Sequence, residues 1–279
     1  MTDGYLASTE AWRQEMENNL RAPNGWLALA GLIWLHEGVN LIGTDPAADL
    51  RLPAGTASPI LGRIEVDGSE AVLHVTGNDP TRVQGSPVDR VALVPDVGDS
   101  PTYVDLRELR LVLIRRGPRL GIRLWDNRRP ERTAFPGRTW YPIDPAWRVT
   151  ASFAAHDPPL ELSVPNVLGE VNLEKSIGKV VFAVSGTTFS LEALTEDEGE
   201  LFLIFADPTN GDTTYPSGRF LYAAAPSDGN VILDFNRAYS PPCAFTPYAT
   251  CPLPPSENRL AIRVEAGETY HPSLTWAGR

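Results

Sequence analysis

Side chains able to do chemistry concentrate in the last third of the chain. In "DPTNGDTTYPSGRF", Asp207 follows an apolar run, and Tyr215 and Arg219 stand four residues apart. A guanidinium is a planar fork that suits a carboxylate or a phosphate, so Arg219 is a candidate to bind an anion, with Asp207 and Tyr215 beside it. A salt bridge from Arg219 to Asp207 or Asp234 would use the same fork, and an ordinary turn between two strands would explain the polar loop. The motif therefore predicts either a ligand-binding loop or a structural hairpin.

A second motif, "DFNRAYSPPCAFTPYATCPLPPSENR" at residues 234–259, holds both cysteines and six of the 26 prolines. Each proline fixes φ and removes a backbone donor, so we expect an ordered but irregular segment. Arg237 would bind an anion, Asn236 would orient it, and Tyr239 would form a wall. Such a preorganised backbone suits a binding site, but it also suits a plug that seals the end of a barrel.

Two residues are candidate catalytic groups, Asp234 and Cys243. Asp234 ends a predicted strand and could act as a general acid or base if burial raised its pKa, as could Glu265 or Glu268. Cys243 could act as a nucleophile if a positive field lowered the pKa of its thiol. Strand-end acids are usually solvated or paired, and a single cysteine is usually a small buried hydrophobe. An enzyme of this kind would be a cofactor-independent hydrolase or isomerase.

The sequence predicts neither a metal site nor a cofactor. The spacing Cys-x7-Cys does not match a zinc site, and no two of His36, His74, His156 and His271 are neighbours in sequence. A glycine-rich phosphate loop, a dinucleotide-binding fingerprint and a Gly-x-Ser-x-Gly elbow are all missing. Free thiols are expected in a reducing compartment, although a disulfide between the two cysteines stays open.

Composition limits the partners. The formal charge is −11, from 35 acidic and 24 basic residues, which argues against nucleic acid and anionic membranes. The N-terminus lacks a secretory pattern, and no apolar run approaches the roughly 18 residues of a membrane span, so the cytoplasm is the expected location. A small polar or anionic organic molecule remains the expected ligand. The oligomeric state is left open.

The elements that must position these residues are mostly strands. Trp12, Met16 and Leu20 recur at helical spacing after the possible caps Ser8 and Thr9, which predicts an N-terminal helical arm over residues 1–25. Short alternating runs predict a β-sandwich over residues 26–130 and an antiparallel, barrel-like meander over residues 131–279, with "NRLAIRVEAGE" as its last strand. The fold class is therefore all-β with a short helical arm.

Two resemblances accompany this pattern. The order "IGTDPAADLRLP" followed by short strands resembles the opening of a forkhead-associated sandwich, but no Ser-x-x-His follows, so phosphopeptide binding is not carried over. The blocks "GWLALAGLIWLHEG", "FADPTNGDTTYPSGRFL" and "DFNRAYSPPCAFTPYATCPLPPSENRL" resemble the bacterial and archaeal family called domain of unknown function 1684. Ser240 stands where that family would have Asn, which could cost one hydrogen bond.

The family implies no established reaction, so three hypotheses remain. The first is binding of a small polar or anionic molecule in the C-terminal β domain. The second adds conversion of that molecule by Asp234 or Cys243. The third is a structural or interaction module in which residues 234–259 seal the barrel or form a subunit contact.

Overall fold

The computed structural model describes residues 2–97, 100–195 and 199–270. The chain divides into two compact units. The middle unit is Leu20–Ala134, and the C-terminal unit combines the described residues up to Asn19 with those from Phe135 onward. Strands predominate in both, which confirms the predicted all-β class with one N-terminal helical arm.

The arm is the helix α1, Thr2–Arg21. It begins earlier than the sequence predicts, so Ser8 and Thr9 lie inside it instead of capping it. The Ser8 hydroxyl donates to the carbonyl of Tyr5 at 2.9 Å, one turn back. Tyr5 is itself hydrogen-bonded to Asp234, 229 residues away, and this tertiary contact explains why the first turns are helical without a capping signal. Among the described residues no helix is long and apolar enough to cross a membrane.

The middle unit is a sandwich of two sheets that share one hydrophobic core. Leu50, Ile64 and Leu73 from one sheet pack with Leu113 and Ile122 from the other, and all are buried. In the described residues the sheet orders are β1-β11-β10-β9-β6-β7 and β3-β2-β4-β5-β8. The elements are β1 Leu29–Trp34, β2 Gly38–Gly43, β3 Leu50–Arg51, β4 Gly62–Asp67, β5 Glu70–Val75, β6 Thr81–Val83, β7 Ser86–Pro87, β8 Arg90–Ala92, β9 Tyr103–Leu106, β10 Leu109–Arg116, β11 Arg119–Asp126 and the short helix α2 Glu131–Ala134.

The C-terminal unit is built on an antiparallel half-barrel whose described strands run in the order β17-β16-β15-β14-β13-β18. Its core includes Val180, Leu191, Leu203, Leu221 and Leu233, which project inward from successive strands. A two-stranded ribbon, β12 with β19, accompanies it. The strands are β12 Thr139–Trp140, β13 Arg148–Pro165, β14 Val171–Val184, β15 Thr187–Thr195, β16 Leu201–Phe205, β17 Arg219–Ala223, β18 Asn230–Asp234 and β19 Glu268–Thr269.

The predicted last strand, "NRLAIRVEAGE", is wrong except at its final residue. Residues 259–267 contain no regular strand. The physical reason is that several of their backbone groups bind buried side chains. The amide of Val264 donates to Asp207, and the carbonyls of Val264 and Ala266 accept from Arg219.

Candidate functional site

The proline-rich segment leaves β18 at Asp234 and never forms a strand. It passes through three single-turn 3-10 helices, Phe235–Arg237, Pro242–Ala244 and Ser256–Asn258. Pro241 and Pro255 precede two of these turns with φ of −64° and −62°, the value that the proline ring imposes. Most of the segment is buried. It is the ordered but irregular backbone that its composition predicts.

This segment forms one wall of a cavity of about 610 Å³ in the C-terminal unit. A second wall is the turn between β13 and β14, and a third is the approach to β17. The lining residues are Asn166, Val167, Leu168, Gly169, Tyr215, Ser217, Cys243, Thr246, Pro247, Ala249 and Leu253.

Hydrogen bonds fix each wall. The Tyr215 hydroxyl donates to the carbonyl of Cys243 at 3.1 Å. The amide of Val167 donates to the carbonyl of Cys251 at 3.0 Å, and the amide of Leu253 donates to that of Pro165 at 2.7 Å. These bonds join the tip of the β13–β14 hairpin to the proline-rich segment, so the cavity is held open by secondary and tertiary structure together.

None of the described residues that line the cavity carries a charge. The polar groups are the hydroxyls of Tyr215, Ser217 and Thr246, the amide of Asn166 and the thiol of Cys243. The side-chain oxygen Oδ1 of Asn166 accepts from the amides of Leu168 and Glu170. No hydrogen bond to another described residue engages the Ser217 hydroxyl. The cavity thus combines apolar surface with a few neutral donors and acceptors.

The two cysteines of the proline-rich segment lie beside each other. Cys243 lines the cavity, whereas Cys251 does not. Cys243 and Cys251 are 7% and 5% exposed, and no disulfide joins them. The amide of Cys243 donates to the sulfur of Cys251 at 3.2 Å.

Arg219 and Asp207 lie away from this cavity, in a closed ion pair. Arg219 donates to Asp207 at 2.8 Å, and both side chains are completely buried. Arg219 also donates to the backbone carbonyls of Val264 and Ala266. Asp207 also accepts from the amide and the hydroxyl of Thr209. Burial lowers the pKa of Arg219, but an arginine starts so high that it stays protonated. The fork therefore serves the structural salt bridge, and an anion would have to displace Asp207 to reach it.

Asp234 and Asn236 form a second cluster, which holds the helical arm. Asp234 accepts from the hydroxyl of Tyr5 at 2.8 Å, and burial is the first cause that raises the pKa of this tyrosine, followed by Asp234. Asn236 is fully buried and donates to the same hydroxyl and to the carbonyl of Asp144. Arg237 is partly exposed, 3.7 Å from Asp234. Neither Asp234 nor Asn236 lines the cavity.

Tyr239 lies in an aromatic group instead of a pocket wall. Its ring contacts Trp12 and Phe220 edge to face and lies parallel to Tyr222 at 6.4 Å. Burial raises the pKa of Tyr239, and Tyr222 adds to the effect. Of the eight residues that the two motifs nominate, the structure brings only Tyr215 and Cys243 to the cavity.

Glu268 is a buried acid that lies near Tyr239. Glu268 accepts from Arg138 at 2.6 Å and from the amide of Ser240 at 2.7 Å. Burial raises its pKa, against the effect of Arg138. The Ser240 hydroxyl is buried and has no partner among the described residues. The sequence suggests Glu268 as a possible general acid or base, but nothing in it places Glu268 beside Arg138 and Ser240.

The histidines lie apart. His36 and His74 belong to the middle unit, and His271 lies outside the described residues. His156 contacts Glu192 at 2.8 Å, and the same carboxylate oxygen accepts from Ser176. Across the described ranges, no group of three or more His, Cys, Asp or Glu side chains could hold a metal ion.

Comparison with known proteins gives a family match and several structural likenesses. The family described as "Protein of unknown function (DUF1684)" has a model that matches residues 133–269. An uncharacterized protein of Haloarcula marismortui, solved by NMR, is 33% identical over 50% of this chain and 80% of that chain, with a TM-score of 0.42.

Two forkhead-associated (FHA) domains are also similar. The FHA domain of FhaA, solved in complex with the intracellular domain of Rv3910, is 23% identical over 33% of this chain and 96% of that chain, with a TM-score of 0.24. An FHA domain from a study of phosphothreonine-dependent interactions is 23% identical over 34% of this chain and 92% of that chain, also with a TM-score of 0.24. No curated protein matches the chain.

Proposed function

Through residues 133–269 the chain belongs to the family of proteins of unknown function DUF1684, and we propose that its C-terminal unit binds a small, uncharged, polar organic molecule. The observation that carries the proposal is the cavity of about 610 Å³ between the proline-rich segment and the β13–β14 turn. Ligand sites commonly have roughly 300–1,000 Å³ and combine apolar walls with a few polar groups.

The chemistry of the lining selects the class of ligand. An anion that entered the cavity would lose its hydration, and none of the described lining residues is basic. Burying a charge without a partner of opposite charge is costly. Apolar surface from Leu168, Pro247 and Leu253 favours a molecule with a hydrocarbon part. Ser217 and Thr246 can hydrogen-bond a hydroxyl, carbonyl or amide on it. We therefore propose a neutral ligand in place of the anion that Arg219 and Arg237 suggest.

The rigidity of the walls supports binding over a passive void. Tyr215, Val167 and Leu253 are each held by a hydrogen bond to another wall. A cavity that keeps its shape without ligand has less ordering entropy to lose when the ligand enters.

A second candidate function, cofactor-free hydrolysis or isomerisation, is favoured by one observation. Cys243, a candidate nucleophile, lines the cavity. Asp234 does not line it, and its carboxylate accepts from Tyr5 and Asn236. The enzyme version of the proposal therefore rests on Cys243 alone. The structural alternative, in which residues 234–259 seal the barrel, is supported by the burial of Phe235, Asn236 and Asn258.

The test is a screen of neutral and charged fragments by ligand-observed NMR on the reduced chain. Leu168→Trp should fill the mouth of the cavity and abolish binding of the neutral fragments. Leu160→Trp is the matched control, since Leu160 is 43% exposed and Leu168 39% exposed on the same hairpin, but only Leu168 lines the cavity. The control should bind as the natural chain does. Equal binding by both variants, or a preference for anions, would overturn the proposal.

A further inference from the structure

The Cys243–Cys251 contact has chemical consequences beyond packing. The amide of Cys243 lies 3.2 Å from the sulfur of Cys251. Within one cysteine, only the Cα and Cβ atoms separate the amide nitrogen from the sulfur. The two sulfurs are therefore within reach of each other through side-chain rotation and a small adjustment of the loop between them.

The loop between the two cysteines forms one wall of the cavity, since Thr246, Pro247 and Ala249 all lie in it. Each end of the loop also holds an opposing wall. The carbonyl of Cys243 accepts from Tyr215, and that of Cys251 accepts from the amide of Val167. A covalent bond between the sulfurs would consequently act on all three walls.

We propose that Cys243 and Cys251 are a reversible redox pair, and that their disulfide is a modification site that controls the cavity. The effect on ligand rests on the proposed function above, whereas the disulfide itself does not. The oxidant is of the low-molecular-weight disulfide class, such as oxidised glutathione.

The exchange has two steps. The sulfur of Cys243, a residue that lines the cavity, attacks the oxidant as a thiolate, so that one sulfur–sulfur bond forms while the oxidant's bond breaks and releases one thiol. The Cys251 thiolate then attacks the mixed disulfide at Cys243 and releases the second thiol. The two cysteines lose two electrons and two protons in total, and both pass to the oxidant.

The geometry assigns the order of attack. Cys243 lines the cavity, but Cys251 does not, so an oxidant entering from solvent meets Cys243 first. The hydrogen bond from the Cys243 amide to the Cys251 sulfur favours negative charge there, which suits the resolving thiolate.

The first experiment is intact-mass analysis of the native chain in oxidised glutathione, followed by non-reducing peptide mapping. We expect a loss of two hydrogen atoms, a peptide linking Cys243 to Cys251, and full reversal by a dithiol reductant. If the folded chain keeps both thiols under conditions in which the urea-unfolded chain forms the link, the proposal is overturned.

Two variants test the order of attack. Cys251→Ser should stop at the mixed disulfide and gain one glutathione on Cys243. Cys243→Ser should remain unmodified over the same time, because the remaining thiol does not line the cavity. Modification of Cys251 in that variant as fast as Cys243 reacts in Cys251→Ser would contradict the assignment.

The effect on the walls is measured by amide hydrogen exchange in the reduced and oxidised chains, without any ligand. The Val167 amide, which donates to the Cys251 carbonyl, should exchange at a different rate after oxidation. Amides of the exposed β4–β5 turn at Gly68 provide the reference and should not change. If the disulfide forms but the Val167 exchange rate is unchanged, the proposal that the disulfide controls the cavity is overturned. Failure of the fragment screen alone would overturn the proposed ligand binding and would not affect the proposed redox pair.

Discussion

Arg219 donates to Asp207 at 2.8 Å, and neither side chain has any surface exposed to solvent. Removing one partner leaves a buried charge without compensation, at a cost of about 3–5 kcal/mol. We therefore expect Arg219→Ala, and separately Asp207→Asn, to lower the free energy of unfolding by that order, as measured by urea denaturation.

The matched control for this pair is Arg263 with Asp212, which are joined at 2.7 Å but are 42% and 60% exposed. Arg263→Ala should change the unfolding free energy little, because exposed pairs are screened by water. If Arg219→Ala is as mild as Arg263→Ala, the buried pair is not the anchor that its geometry implies.

Both the backbone conformation and the close packing at position 218 require glycine. Its φ is +95°, and a Cβ there would lie 2.4 Å from a side-chain atom of Pro254 and 2.7 Å from the carbonyl oxygen of Phe205. Gly218→Ala should destabilise the C-terminal unit by more than the roughly 1–2 kcal/mol expected from the left-handed backbone alone. Gly211→Ala is the control, because Gly211 has φ +81° with open space around it. Thermal unfolding that ranks the two variants equally would contradict the close approach.

Tyr5 joins the helical arm to the rest of the C-terminal unit. Tyr5→Phe removes the donor to Asp234 and the acceptor for Asn236, and it should cost about 1–2 kcal/mol. Amide exchange in the first turns of α1 should accelerate while exchange in β10 stays constant. Gln14→Ala, which removes the exposed bond from Gln14 to Asn18 within the helix, should leave the exchange rates near those of the natural chain.

Glu192 should make stability depend on acid pH. Burial alone would raise its pKa, but hydrogen bonds from His156, Ser176 and Lys179 outweigh burial and lower the pKa below the ordinary 4.5. The unfolded chain then binds the proton more readily, so the contribution of Glu192 is present above about pH 4.5 and is lost as the pH falls through the folded value.

Glu192→Gln should therefore be less stable than the natural chain by about 1–3 kcal/mol at neutral pH, and the difference should shrink below pH 4.5. Urea denaturation across that pH range measures it. Glu174→Gln, a change at an exposed position on β14, should be neutral throughout. A difference that stays constant down to pH 3 would show that ionisation of Glu192 is not its source.

Local pattern predicted most of the strands, because alternation reports which face is buried. The run "LRLVLIRRG" becomes β10 for this reason. The long strand β13 was not predicted, since "HDPPLE" interrupts the alternation in its middle. The strand predicted over residues 258–268 does not form, although its sequence alternates. Alternation cannot show that Asp207 and Arg219 bind backbone groups of Val264 and Ala266.

The sequence predicted some of the residues that line the cavity and missed the others. Composition placed Cys243 in an ordered irregular segment, and Tyr215 lay in the other polar motif. The facing wall at Asn166–Gly169 carries no chemical signal, and only tertiary pairing with Cys251 and Leu253 brings it there. For Arg219, the sequence left ligand and salt bridge open, and burial decided between them.

The partners of the helical arm impose an order on biosynthesis. Tyr5 is translated 229 residues before Asp234, which it binds, and Arg13 is translated 223 residues before Asn236. The intervening chain includes the whole of Leu20–Ala134, a unit with its own core, which can fold while translation continues. The amphipathic arm must therefore wait without its partners during that time, and this is the interval in which a nascent chain of this protein is most open to a chaperone.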